Sequence, residues 1–131
     1  MKFVDSNVFI YVLDRHPKFG STAKGILKRI GGGEEAATST LVIEEVCAYL
    51  VKGGRTEEIP SFVDAIRAYG FLLKSPYIFE DVVTAREMFV KYKIDWNDLI
   101  IVAQMQREGI EEIYSNDADF DHVPGIKRIF E

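Results

Sequence analysis

Short apolar segments, each too brief to be a helix, alternate along this chain with longer stretches that carry apolar residues at helical spacing. Lys2 to Val4, Glu35 to Ser39, Phe71 to Leu73, Glu112 to Ser115 and Ile126 to Ile129 read as strands. Val8 to Leu13, Thr22 to Ile30, Thr40 to Lys52, Thr56 to about Tyr69, Phe79 to Tyr92 and Asp95 to about Glu108 read as helices. Ala23, Ile26, Leu27 and Ile30 form one apolar stripe, and Ile43, Val46, Cys47 and Leu50 another. The glycines at 31–33, 53–54, 70 and 109 supply the stops. This alternation predicts an α/β fold whose parallel sheet is covered on both faces. No repeat, low-complexity stretch or linker breaks the pattern, so residues 1–131 are expected to form one domain.

Composition excludes several classes. With 47% hydrophobic residues the chain carries too much apolar surface to remain disordered. The longest apolar run, Leu99 to Ala103, falls far short of the roughly 20 residues needed to span a bilayer. Asp5 places a carboxylate where a signal peptide would need apolar residues, so no membrane association and a cytoplasmic location are expected. Cys47, the single cysteine, excludes an internal disulfide and a multi-thiolate metal site. A formal net charge of -5 argues against a bulk electrostatic nucleic-acid binder. The charges are nevertheless segregated: Arg15, His16, Lys18, Lys24, Lys28 and Arg29 come early, and Asp95, Asp98, Glu111, Glu112, Asp117, Asp119 and Asp121 come late.

Acids stand where a parallel sheet binds ligands, beyond the carboxyl ends of its strands. Asp5 follows the first strand, Asp117 and Asp119 follow the fourth, Asp98 opens a strongly apolar helix, and Glu44 and Glu45 lie near the start of theirs. Each has a plain structural reading. Asp5 suits a helix cap, Asp95 and Asp98 have capping-box spacing, Asp117 and Asp119 suit turns, and Glu44 and Glu45 suit a solvated face. Taken together, converging carboxylates repel one another unless a cation neutralises them, and an all-oxygen ligand set selects a hard ion such as Mg²⁺ or Mn²⁺.

Four segments in register resemble PIN-domain ribonucleases, and among them the VapC-type toxins of toxin–antitoxin pairs and their stand-alone relatives. They are Asp5-Ser6-Asn7-Val8-Phe9-Ile10, Thr38-Ser39-Thr40-Leu41-Val42-Ile43-Glu44-Glu45-Val46, Asp95-Trp96-Asn97-Asp98-Leu99-Ile100-Ile101-Val102-Ala103 and Ser115-Asn116-Asp117-Ala118-Asp119-Phe120, with Ser115 where the family usually has Thr. The resemblance spans essentially the whole chain. It implies a three-layer α/β/α fold around a parallel sheet, and RNA cleavage that depends on one or two Mg²⁺ or Mn²⁺ ions. It implies Asp5, Glu45, Asp98 and Asp117 as catalytic and metal-binding acids, Asp119 as an accessory ligand, and Ser6, Asn7 and Ser115 as hydrogen-bond partners of the carboxylates. The helical wheel leaves the middle acid open, because the stripe of Ile43, Val46, Cys47 and Leu50 puts Glu44 on its flank and Glu45 nearly opposite. Glu45 matches the family segment, and Glu44 is the runner-up.

On this reading a metal-activated water attacks the phosphorus in line, with no histidine required, and neither His16 nor His122 has a role. Arg15, Lys18, Lys24, Lys28 and Arg29 are candidate contacts to the RNA backbone, against the plain reading of a solvated helix face. Trp96 either stacks on a base or packs as an apolar body, and Cys47 fills core. If exposed, Tyr49, Phe62, Tyr69 and Phe71 would suit a homodimer or an antitoxin helix, the partners the resemblance suggests. Two other readings stand beside the nuclease: a phosphatase using Asp5 as nucleophile, weakened by Asn7 where an Asp-x-Asp opening needs a second acid, and a PIN-like scaffold that binds RNA or protein without cutting.

Overall fold

A computed structural model describes residues 1–131. Five short strands, β1 (Lys2–Val4), β2 (Ala36–Ser39), β3 (Leu72–Ser75), β4 (Glu112–Tyr114) and β5 (Lys127–Ile129), form one sheet in the order β3-β2-β1-β4-β5. All four pairings are parallel, with Lys2 opposite Ala36 on one side and Glu112 on the other. The chain builds outward from β1 in one direction and then returns to build outward in the other. That reversal opens a crevice between β1 and β4 at their carboxyl ends.

The helices are α1 (Ser6–Leu13), α2 (Gly20–Gly31), α3 (Thr40–Lys52), α4 (Ile59–Ala68), α5 (Phe79–Phe89) and α6 (Trp96–Glu108). Right-handed crossovers put α1 to α4 on one face and α5 and α6 on the other. The expected helix over Thr56–Tyr69 is divided, a 3₁₀ turn at Thr56–Glu58 preceding α4, where Pro60 enters the first turn. The segment after β4, expected as loop, holds a 3₁₀ turn at Ala118–His122. The third strand is displaced from Phe71–Leu73 to Leu72–Ser75, and α5 ends at Phe89 rather than Tyr92.

One apolar core joins the two faces. Phe3, Val4 and Ile113 of the central strands meet Val8, Ile26, Val46 and Leu50 on one side and Leu99, Ile101 and Met105 on the other, all buried. α6 is buried almost all round from Asp98 to Met105, which is why its sequence shows little amphipathic pattern. Inside it, Gln104 is fully buried and donates to the Ser75 carbonyl at 3.1 Å, tying α6 to the end of β3. No helix is long and apolar enough to cross a membrane.

α5 and α6 are also joined by a two-pronged ion pair. Arg107 donates through Nε (2.9 Å) and Nη2 (2.9 Å) to Asp81, whose side chain is only 2% exposed. Burial alone would push the Asp81 carboxyl up, but the Arg107 bonds and the Ile78 N–H hold it below its ordinary value. Its contribution to stability is therefore present above the usual Asp range and is lost as the pH falls through it. Arg107→Leu leaves a buried carboxylate without its cation; the guanidinium is partly solvated, so the expected loss is about 2 kcal/mol, or roughly 7 °C in a thermal melt. A melting temperature unchanged within a degree would show the pair to be idle.

Candidate metal centre

The crevice between β1 and β4 is lined by acids supplied from four segments. β1 runs into Asp5, which caps α1 by accepting from the Ser6 N–H at 2.8 Å. Its other oxygen accepts from Ser115 Oγ at 2.7 Å and Asn7 Nδ2 at 3.1 Å. Ser115 follows β4, so this bond closes the crevice across the two strands. Asn7 also donates to Ser115 Oγ at 3.0 Å, and its Oδ1 accepts from the Asn116 N–H at 3.2 Å. Ser6, Asn7 and Ser115 thus stand where carboxylate partners were expected. These bonds orient both oxygens of Asp5.

Asp117 opens the 3₁₀ turn and accepts from the Asp119 N–H at 3.0 Å. The turn-forming role and the site role are the same geometry, because the turn brings Asp119 back beside Asp117. One carboxylate oxygen from each of Asp98, Asp117 and Asp119 lies within 4.8 Å of the others. Asp98 is buried at the start of α6, but no capping box forms, since Asp95 makes no side-chain cap bond. Burial first, and then the charges of Asp5, Asp117, Asp95 and Glu45, push the Asp98 carboxyl up to about 8, with no hydrogen bond to offset them.

Glu45 reaches the centre from α3, whereas Glu44 is exposed on the outer side of that helix. Val42, Val46 and Leu50 are the buried line of α3, with Ile43 and Cys47 only half-buried beside it. That shift of the buried line by one residue brings Glu45 inward, against the wheel drawn on Ile43 and Cys47. Burial and the nearby Asp5 charge push Glu45 up to about 7, partly countered by the Asn97 amide donating to Oε2 at 3.4 Å. Its Oε1 is buried with no partner. Burial raises Asp5 as well, the Ser115 and Ser6 bonds drawing it back and the Asp117 charge pushing it further up.

A buried carboxylate oxygen with no donor, beside three convergent carboxylates, fits a hard divalent cation. Asp98, Asp117 and Asp119 form the tight group; Asp5 and Glu45 border it and act on it through their charge. Asn97 and Asn116 were not anticipated. Their one sequence signal is adjacency to Asp98 and Asp117, which does not tell a side chain aimed at the site from one in solvent.

The basic cluster does not form one face. Arg29 donates to the Glu131 carbonyl, pairs with Glu34 and lies over the Tyr114 ring. Lys18 lies over the Phe19 ring, 5.3 Å from its centroid, and Lys28 is exposed. Trp96 meets Phe89 edge-on with 6.0 Å between centroids and keeps part of its surface in solvent. The four aromatic residues expected to share a surface are divided: Phe62 is buried, Tyr69 lies beside it, Phe71 is exposed, and Tyr49 hydrogen-bonds Asp14 at 2.5 Å.

Three comparisons bear on this arrangement. The PIN domain family model matches residues 2–126. Ribonuclease VapC13 of Mycobacterium tuberculosis is 32% identical over 98% of this chain and 99% of its own length. Among solved structures, the sarcin-ricin-loop-cleaving toxin VapC20 of M. tuberculosis superposes with a TM-score of 0.75 at 21% identity, covering 92% of this chain and 93% of that one. A toxin–antitoxin complex from Klebsiella pneumoniae superposes with a TM-score of 0.70 at 18% identity, covering 96% and 95%.

Proposed function

The chain belongs to the PIN domain family, and from that premise we propose that it is a toxin-like endoribonuclease that needs a divalent cation, Mg²⁺ or Mn²⁺, as one or two ions. The observation that carries this reading is the convergence of Asp98, Asp117 and Asp119 beside the unpartnered oxygen of Glu45. Asp5, Glu45, Asp98 and Asp117 would hold the cation, with Asp119 as accessory ligand. When bound, it supplies Lewis-acid stabilisation of the phosphodiester and acidifies a water. Everything else falls to the chain. Ser6, Asn7 and Ser115 fix the orientation of Asp5, Asn97 steadies Glu45, and the Asp117 turn fixes Asp119. Burial keeps the acids close in spite of their repulsion, so they are poised to exchange protons for a cation.

An antitoxin partner follows from the same reading. An apolar groove of about 230 Å³ between α1, α2 and α4, lined by Phe9, Val12, Leu13, Leu27, Phe62 and Ile66, suits the apolar side of a partner helix. A second copy would cover the exposed Phe79, Phe89 and Val90 at the two ends of α5.

The test is cleavage of end-labelled single-stranded and hairpin RNA with Mg²⁺, with Mn²⁺ and with EDTA. Wild type is expected to cut in either metal and to stop in EDTA. Glu45→Gln should lose roughly 10²-fold or more in rate, and Glu44→Gln less than about twofold. Equal loss in both variants would remove Glu45 from the centre. Metal-independent cutting, or none by folded wild type, would overturn the nuclease reading.

A further inference from the structure

We propose that the pocket at the α1–α2 corner, walled by Tyr11, Arg15, His16, Ser21 and Lys24, binds a backbone phosphate of the RNA a few nucleotides from the cleaved bond. The assignment rests on the nuclease reading and adds to it a subsite outside the acidic centre. The pocket is open and holds about 570 Å³.

Its charge is free. Arg55, Arg107, Arg128 and Arg29 are all paired with carboxylates, whereas neither Arg15 nor Lys24 has a carboxylate oxygen within 4.0 Å. The nearest acid in sequence, Asp14, is occupied by Arg55 and Tyr49. Two unpaired cations on one concave wall of a chain with net charge -5 concentrate positive potential locally.

The corner is built to hold them. Arg15 takes φ +48°, a left-handed conformation uncommon for a residue with a side chain. Gly20 sits so close that a Cβ there would meet the Arg15 carbonyl carbon and the Tyr11 oxygen at 3.3 Å. The chain is therefore folded tightly back on itself, which fixes where the Arg15 side chain leaves the backbone. His16 Nδ1 accepts from the Lys18 and Phe19 N–H groups, each at 3.1 Å. The ring proton accordingly belongs on Nε2, which leaves a donor with no protein acceptor.

The pocket is tied to the acids by one side chain. Tyr11 lies one helical turn beyond Asn7 on α1, and its hydroxyl accepts from Asn116 Nδ2 at 3.3 Å. Asn7 and Asn116 are the residues that hold Asp5 and flank Asp117. α1, from Ser6 to Leu13, rises about 12 Å between Asp5 and the corner, a span that a few nucleotides of single strand cover. A strand with its cleaved phosphate at the acids would lay a neighbouring phosphate across Tyr11 into the cationic wall, where it contributes affinity without sequence preference.

Anisotropy of a labelled 12-nucleotide RNA of randomised sequence tests this in an Asp98→Asn background, which keeps the probe whole. Arg15→Gln with Lys24→Gln should weaken binding roughly tenfold and lower the salt slope by about 0.7 for one lost phosphate. Arg15→Lys with Lys24→Arg should restore the slope, and Arg86→Gln, exposed on α5, should leave both quantities alone. Wild-type affinity and slope in the doubly neutralised variant would overturn the subsite, as would failure of the charge-conserving pair to restore them. Wild-type cleavage of the same RNA is scored separately. Cutting without pocket dependence removes the subsite and keeps the nuclease, and pocket-dependent binding without cutting does the reverse.

Discussion

Asp98→Asn is expected to abolish RNA cleavage, by roughly 10³-fold or more, and at the same time to raise the melting temperature of the metal-free protein. The two effects share a cause. Asp98 is buried among Asp5, Asp117, Asp95 and Glu45, and its carboxyl is pushed up to about 8. Between the ordinary Asp value and that pH, the native state holds a proton that the unfolded chain gives up. The stability of the metal-free protein therefore falls as the pH rises from about 4 to about 8. Asn has nearly the same shape and no charge, so the penalty disappears at pH 7.5. The expected gain is on the order of 2 kcal/mol, or roughly 7 °C. Added Mn²⁺ should raise the melting temperature of wild type and have little effect on the variant. A variant that melts lower than wild type without metal, or that still cuts, would show Asp98 to be structural.

The second large effect is in cation affinity. Asp98 and Glu45 are pushed up to about 8 and about 7, so both hold protons near neutral pH. A cation must displace the protons they hold, so its affinity rises with pH. One to two protons leave between pH 6 and pH 8, which corresponds to roughly a 10²-fold gain in Mn²⁺ affinity. Calorimetric titration at pH 6, 7 and 8, in buffers of different ionisation enthalpy, reads the affinity and the protons released together. A flat affinity with no proton release would mean that the acids are already charged, or that the cation binds elsewhere.

Much of this was legible residue by residue. Thr40 to Lys52 carries a capping serine before it and paired glycines after it, and α3 has those bounds. Asp5 and Asp117 could be placed because a short strand fixes where its carboxyl end lies, and Asp98 because the helix behind it is too apolar to sit anywhere but in the core. Glu44 against Glu45 was not legible from the helical wheel, and only the resemblance favoured Glu45. A wheel drawn on Ile43 and Cys47 differs from one drawn on Val42 by a single step, and only packing decides which line is buried. The Asp81–Arg107 pair was hidden because its members lie in different helices and neither breaks a pattern. The early basic cluster is divided by the fold. Sequence proximity groups Arg15, Lys24 and Arg29, but the fold turns Arg29 onto Glu34 and leaves the other two facing one pocket.

The sheet order also sets when the acidic centre can form. β4 pairs with β1 across nearly the whole sequence, Lys2 lying opposite Glu112, and the Asp5–Ser115 bond forms only once that pairing exists. Contacts so distant along the chain close late and slowly. During synthesis, a ribosome carrying the first hundred residues displays Asp5 and Glu45 but neither Asp117 nor Asp119. A centre assembled this way stays incomplete until the final strands have emerged and inserted.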